Sequence, residues 1–312
     1  METHYAEQVL GGSIRTLARL ISWLEDEDER AFPVLEKLYP HTGKAYVVGI
    51  TGSHGTGKST LIGRLTRVIR EQGLTVGIIA VDPSSPFTGG ALLGDRVRMS
   101  DLFNDPGVYI CSMATRGFLG GMAGATAEAV KVLDAFGKEL ILIETVGVGQ
   151  DEVDIINIAD TVCLLLSPGL GDAIQVMKAG VMEIADVFVV NKADRPGTDG
   201  LCREVQFSLA HRRRGAEDWI PPVLRTVAVN GVGIRQLWKD IQDHRQYQET
   251  SGRLYERRKE RLCRDMLRMI HEEIFRRICR SLSENGQLDE LVREITENRL
   301  DPRRAMRRLT GC

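Results

Sequence analysis

Between Ala45 and Glu71 the chain reads AYVVGITGSHGTGKSTLIGRLTRVIRE. Gly52, Gly57, Lys58 and Ser59 stand at the spacing G-x-x-x-x-G-K-[ST], which gathers the groups a polyphosphate needs. Glycines at Gly52, Gly55 and Gly57 let backbone N–H groups turn inward where a Cβ would obstruct them. Lys58 offers a cation to the β and γ phosphates, and the Ser59 hydroxyl offers a magnesium ligand. With Ser53, Thr56 and Thr60 these residues form the expected nucleotide-binding loop. The plain alternative is a Gly-rich βα turn that ends in Gly-Lys-Ser. It is disfavoured by the apolar strand pattern before the loop and the helical pattern after it, which aims its positive end at the same place.

A second constellation, Asn191, Lys192 and Asp194 in VFVVNKAD, has the form N-K-x-D. The Asp194 carboxylate can accept both N–H donors of the guanine N1 and N2 edge. Adenine has no donor there and would leave a costly unpaired carboxylate. The Lys192 stem can cover the ring face, and backbone around Ala228 and Val229 in VAVNGVGI can complete a base pocket. Four residues alone are a weak signal. At a strand end downstream of a full phosphate loop they become a strong one.

Acidic residues stand at two other strand ends. Asp82 closes the second strand and is followed by PSSPFTGGALLGDRVRM, which contains Asp95; either could hold magnesium, or serve as a turn residue or helix cap. Glu144 closes the fourth strand ahead of TVGVGQDE. An acid there can position magnesium while the Gly147 N–H meets the γ-phosphate and releases it after hydrolysis. Gln150 could orient water or simply be solvated. Arg116, with its neighbouring glycines, belongs to a mobile loop or a surface connection, and Asp172 and Lys178 to a further Gly-rich loop or a charged helix surface.

These residues need a scaffold. From Ala45 to about Tyr247, apolar strands alternate with helical patterns, which predicts a largely parallel sheet with helices on both faces. The strands are expected at 47–50, 75–81, 108–112, 140–144, 161–166, 187–190 and 223–229. Ligands of such folds gather beyond the carboxyl ends of the strands, where every polar cluster above falls. Ahead of them, Ser13 can cap a helix carrying Ile14, Leu17, Ala18, Ile21 and Leu24, and a second helical pattern runs through Phe32, Leu35 and Leu38. Past Tyr247 comes an Arg-rich helix with apolar positions Leu262, Met266, Met269, Ile270, Ile274 and Ile278, then two shorter ones. Such a stripe must be buried, on its own domain or in a subunit contact. The expected division is residues 1–44 as a helical extension, 45–250 as the nucleotide domain and 251–312 as a C-terminal helical arm, which the resemblance described below makes a dimerisation arm.

The chain has 312 residues and a formal charge of −2, with 41 Lys and Arg against 43 Asp and Glu. No global field argues for nucleic acid or a membrane surface. The six cysteines are scattered, with no C-x-x-C pair, which favours reduced thiols in the cytosol. No apolar run has membrane-spanning length.

Taken in order, GITGSHGTGKST, VDPSSPFTGGALLGDRVRM, MATRGFLGG, ETVGVGQDE and VNKAD resemble the MeaB/ArgK-type GTPases, which are P-loop proteins of the SIMIBI class. The resemblance covers most of the chain. It implies a Mg2+- and GTP/GDP-dependent chaperone for an adenosylcobalamin-dependent acyl-CoA mutase, homodimeric through its C-terminal helices. It further implies Asp82, Asp95 and Glu144 as magnesium-site acids, Gly147 to Gln150 as the second switch, and Asp172 to Lys178 as a third switch facing the mutase. His54 departs from the proline frequent in that family. The SPGLGDAIQVMKAG stretch is a variant switch that leaves methylmalonyl-CoA, isobutyryl-CoA and hydroxyisobutyryl-CoA mutases all open as partners. A nickel-insertion metallochaperone would need a His- or Cys-rich segment, whereas the six histidines are scattered. A small-molecule kinase would have little use for Asp194.

Overall fold

Seven short runs of aliphatic residues pair side by side in a computed structural model, which describes residues 2–83, 99–115, 123–145, 154–169, 181–211, 215, 218–284 and 287–310. The strands are β1 (Tyr46–Thr51), β2 (Val76–Pro83), β3 (Val108–Thr115), β4 (Leu140–Glu144), β5 (Thr161–Leu166), β6 (Val187–Val190) and β7 (Val223–Arg225). Their order is β3-β2-β4-β1-β5-β6-β7. Every pairing between these strands is parallel, with Ile50 opposite Glu144 and Leu166 opposite Val190. β7 is shorter than the expected 223–229. After Arg225 the chain leaves the sheet for a 3-10 turn at Ala228–Asn230, and Gly231 and Gly233 take positive φ. At Gly233 a Cβ would lie 2.3 Å from the Arg225 carbonyl oxygen, so only glycine lets the backbone fold back this tightly.

The helices are α1 (Glu2–Leu10), α2 (Ile14–Glu25), α3 (Ala31–Leu38), α4 (Lys58–Arg70), α5 (Ala123–Ala135), α6 (Val181–Ile184), α7 (Thr198–Ala210), α8 (Ile234–Thr250), α9 (Arg253–Glu284), α10 (Gln287–Thr296) and α11 (Pro302–Thr310). Alternate residues along the inner strands serve opposite faces of the sheet. Val47, Ile79, Val81, Ile141 and Ile143 pack with α2, α3 and α5, while Tyr46, Val48, Ile50, Ile78 and Leu142 pack with α4 and α8. The N-terminal helices are therefore part of the domain core. The Ser13 hydroxyl accepts from the Thr16 N–H at 3.3 Å and caps α2. The buried apolar side chains of α2 are Leu17, Leu20, Ile21 and Leu24, whereas Ile14 is 60% exposed. On α3 the buried set is Ala31, Val34 and Leu38, with Phe32 exposed. Each inward leucine or isoleucine contributes about 2 kcal/mol gross on burial, so the face that meets α5 is the one the fold keeps dry.

The amino ends of the strands are tied down by ion pairs. The fully buried Asp160 carboxylate accepts from the Val47 N–H at 3.0 Å and from the Arg258 guanidinium at 2.7 Å. Asp186 accepts from Val162 N–H at 2.8 Å and from Arg257 at 3.1 Å. Arg258 also donates to the Gly43 and Ala45 carbonyls. Burial opposes its charge, but the Asp160 bond and attraction outweigh it and raise the guanidinium pKa. His244, buried between Thr161 and Asp186, is held neutral-leaning by desolvation.

The chain divides into two compact units, Met1–Arg258 and Lys259–Cys312. Among its described residues the second holds the remainder of α9 together with α10 and α11. Its apolar residues Leu262, Met266, Met269, Ile270 and Ile274 are exposed, between 45% and 55%. Cys111, Cys163, Cys202, Cys263 and Cys279 are free thiols. Among the described residues no helix is long and apolar enough to cross a membrane.

Candidate functional site

The central strand β1 delivers the chain into the loop 52–57, and α4 starts at Lys58. Two glycines there are required by packing. A Cβ on Gly52 (φ 141°) would lie 2.2 Å from the Leu165 carbonyl oxygen, and one on Gly57 (φ 98°) 2.6 Å from Asn191 Nδ2. The loop is thus pressed between β5 and the chain leaving β6. Thr56 closes it locally, its N–H and hydroxyl both donating to the Ser53 carbonyl. Lys58 is buried and donates from Nζ to the carbonyls of Gly52 at 2.7 Å and Ser53 at 3.3 Å. Ser59, on the first turn of α4, donates from Oγ to Glu144 Oε1 at 2.7 Å, and both residues are buried.

Glu144 reaches Ser59 because β4 is the direct neighbour of β1 in the sheet, with Glu144 in register with Ile50. Beside this pair the Thr145 hydroxyl donates to the Thr51 hydroxyl at 3.0 Å, and Thr145 N–H donates to the Ile50 carbonyl. The carboxyl ends of β1 and β4 are thereby stitched together under the loop.

The residues after β6 are stapled to the same loop. Asn191 Nδ2 donates to the Thr56 carbonyl at 2.8 Å, while its Oδ1 accepts from Thr226 Oγ1 at 3.0 Å and Ala228 N–H at 3.1 Å. Lys192 adopts φ 56° and donates from Nζ to the Gly55 carbonyl at 2.6 Å. Asp194 is exposed in the turn that follows, whose shape is kept by Thr198 Oγ1 donating to the Arg195 carbonyl. Ala228 is buried and Val229 is 66% exposed, with Arg64 of α4 donating to the Val229 carbonyl at 2.7 Å. Asn191 alone thus joins the phosphate loop, the chain after β6 and the turn after β7.

Most of the residues singled out in the sequence therefore meet at one sheet edge: Gly52, Ser53, Gly55, Thr56, Gly57, Lys58, Ser59, Thr60, Glu144, Asn191, Lys192, Asp194, Ala228 and Val229. Asp82 lies near the end of β2, opposite Ala114. The Asp82 side chain, together with Asp95, Arg116, Gly147, Gln150, Asp172 and Lys178, lies outside the described residues. Sequence reasoning missed Thr51, Thr145, Thr226 and Arg64. For the threonines the only available signal was their position at or near the carboxyl end of a strand, and Arg64 had none.

This geometry agrees with what the chain is similar to. Residues 17–283 match the family described as methylmalonyl Co-A mutase-associated GTPase MeaB. A Pyrococcus abyssi protein named a GTPase is 49% identical over 301 residues, covering 95% of this chain and 92% of the relative. The GTPase ArgK of Escherichia coli is 32% identical, with 96% and 92% covered. The mitochondrial methylmalonic aciduria type A homolog of Mus musculus is 36% identical, with 83% and 63% covered. Among solved structures, one described as an LAO/AO transport system kinase superposes with a TM-score of 0.75 at 25% identity, covering 99% of this chain and 96% of that one. A phosphate loop and an N-K-x-D turn stapled together at the edge of a parallel sheet, in a chain whose residues 17–283 match the family, place this protein in the MeaB/ArgK family of P-loop GTPases.

Proposed function

We propose that this chain is a Mg2+-dependent GTPase that acts as chaperone to an adenosylcobalamin-dependent acyl-CoA mutase, methylmalonyl-CoA mutase or a close relative, gating cofactor loading and protecting or reactivating the mutase. The observation that carries the mutase reading is the family match over residues 17–283. The mouse relative, named for methylmalonic aciduria, supports it.

The loop supplies the phosphate chemistry. Loop N–H groups and the positive end of α4 would converge on the β and γ phosphates of GTP. Lys58 would exchange its carbonyl partners at Gly52 and Ser53 for phosphate oxygens, which bind an ammonium more strongly. The residues present fit magnesium: Ser59 and Glu144 put a hydroxyl and a carboxylate 2.7 Å apart at the loop, and both are the hard oxygen donors this ion selects. They would hold it with Asp82 and Asp95, and the ion would neutralise charge that develops on the phosphates. Gly147 would meet the γ-phosphate through its N–H. Gln150 is the candidate for orienting the attacking water, and Lys178 the candidate for an extra cation.

Asp194 would accept from guanine N1–H and N2–H, with the Lys192 stem over the ring and the backbone of Ala228 and Val229 closing the pocket. The exposed apolar residues of α9 support a homodimer formed through the C-terminal helices. The free thiols support a cytoplasmic setting. The nickel metallochaperone reading gains no supporting cluster of His, Cys, Asp and Glu among the described residues.

The test is co-purification from native lysate with the chain loaded with either a non-hydrolysable GTP analogue or GDP. The expected result is a cobalamin-dependent mutase retained in a nucleotide-dependent amount. Failure to retain any such mutase with either nucleotide would overturn the chaperone reading and leave the GTPase assignment standing.

A further inference from the structure

Helix α4 carries Lys58 and Ser59 at its start and three arginines, Arg64, Arg67 and Arg70, further along. Two of the three meet acids: Arg67 pairs with Asp101, and Arg70 holds the Asp105 carboxylate through two bonds of 2.9 Å. Arg64 is used differently. Among the described residues it pairs with no carboxylate, and its guanidinium donates to the Val229 backbone carbonyl at 2.7 Å, across 165 residues of chain.

Val229 stands on the turn after β7, and the outer part of that turn is thinly held. Val229 and Val232 are 66% and 56% exposed, so apolar packing fixes them weakly. The backbone bonds of the next residues close within the turn: the Asn230 and Val232 N–H groups donate to the Val227 carbonyl, and the Gly231 N–H donates to the Ala228 carbonyl. On its inner side the turn is fastened to the chain after β6, where Asn191 accepts from Thr226 and Ala228, and the Ala193 N–H donates to the Thr226 carbonyl. On the other side an open cleft of about 450 Å³ runs along α4, lined by Arg64, Arg67, Gly231 and Gly233 among others. The Arg64 bond ties the turn to α4 beside this cleft. A bond from a guanidinium is charge-assisted and directional, so it fixes the Val229 peptide relative to the helix. Lys58 lies six residues earlier on the same helix, about 9 Å along its axis. One rigid element therefore carries both the phosphate-facing lysine and the brace of the base-side turn.

We infer that Arg64 is a positioning residue for the guanine base: it holds the Val229 backbone at a fixed distance from the phosphate loop and thereby slows nucleotide release. This role rests on the base pocket proposed above for Asp194, Ala228 and Val229.

The test follows release of the fluorescent analogue mant-GDP from the full-length chain by stopped flow. It is joined to single-turnover GTP hydrolysis over a range of enzyme concentrations, which separates half-saturation from the limiting rate. Arg64→Ala is expected to release mant-GDP about three- to tenfold faster and to raise the half-saturation point by a similar factor. The limiting rate of hydrolysis should stay within about twofold of wild type, because Lys58 and Ser59 are untouched. Arg64→Lys keeps a donor for the Val229 carbonyl and should recover part of the slow release. Arg67→Ala removes a neighbouring charge without this bond and should release at the wild-type rate. The inference is overturned if Arg64→Ala releases at the wild-type rate, if its limiting hydrolysis rate falls in step with its affinity, if Arg67→Ala matches it, or if Arg64→Lys releases no more slowly than Arg64→Ala. Asp194→Asn, run in parallel, separates the two readings. If it releases mant-GDP no faster than wild type, the base pocket falls and this role of Arg64 with it. If it releases faster while Arg64→Ala does not, the role of Arg64 alone is overturned.

Discussion

The two edges of the one sheet treat charge in opposite ways. At the carboxyl edge, Lys58 and Lys192 hold backbone carbonyls of the loop beside them, and Asp194 stands in an exposed turn. A phosphate or a base can displace such bonds at little cost, because a carbonyl gives up an ammonium more readily than a carboxylate does. At the amino edge, buried Asp160 and part-buried Asp186 meet arginines and backbone N–H groups together. Nothing there can leave without exposing an unmatched charge. Recognition is thus built where polar groups have replaceable partners, and anchorage where they do not.

Breaking the anchored edge has the largest expected effect on stability. Asp160→Ala removes both Val47's acceptor and Arg258's counter-charge. It should cost about 3 kcal/mol, the low end for a broken buried pair because Arg258 is 31% exposed. Chemical denaturation measures this, and an unchanged midpoint would erase the distinction between the edges. At the other edge, Lys58→Ala should slow GTP hydrolysis about 10²–10³-fold in single-turnover assays. It should shift stability less, by about 1–2 kcal/mol, for the bonds lost to the Gly52 and Ser53 carbonyls. If stability fell as far as activity, Lys58 would count as an anchor.

A finer test alters recognition without touching phosphate. Asp194→Asn should weaken GTP binding by about 2 kcal/mol, roughly 30-fold. Binding of xanthosine triphosphate should improve, since an amide N–H complements the O2 of xanthine where a carboxylate does not. Isothermal calorimetry with both nucleotides decides it, and an unchanged preference would remove Asp194 from the base pocket.

The smallest effect is a pH dependence of the anchored edge. Burial lowers the His244 pKa below its ordinary 6.5, while Asp186 and Asp160 pull it up and Arg257 pushes it down. The unfolded chain therefore takes up the proton first as pH falls. The stabilisation is complete above pH 6.5 and is lost as pH drops through the folded value. Melting temperatures of the wild type should decline from pH 7 toward pH 5.5, and His244→Gln should decline less. Equal slopes would show that His244 does not set this dependence.

Much of the site was legible because its chemistry is local. The phosphate loop and the N-K-x-D turn are contiguous, and glycine, lysine and serine at fixed offsets leave few alternatives. The strands were legible because parallel, doubly covered strands read as apolar runs. The last strand was overextended because Thr226 to Val229 are as apolar as a strand, while Gly231 and Gly233 turn the chain back. On α2 and α3 the helical spacing was correct, but the buried side was set by α5, which left Ile14 and Phe32 outside.

By itself, the sequence determined the chemical parts and the repeating strand–helix pattern, since both depend on neighbours a few residues apart. Only the tertiary structure decided which parts meet. Strand order β3-β2-β4-β1-β5-β6-β7 sets Glu144 on Ser59 across 85 residues and Asn191 on Thr56 across 135. It likewise brings Arg258 of α9 to the start of β5, where Asp160 waits. The reason is physical: alternation of side chains fixes which face of a strand is dry, but hydrogen bonding between backbones is the same for every sequence, so a strand's neighbour is chosen by the packing of the whole sheet.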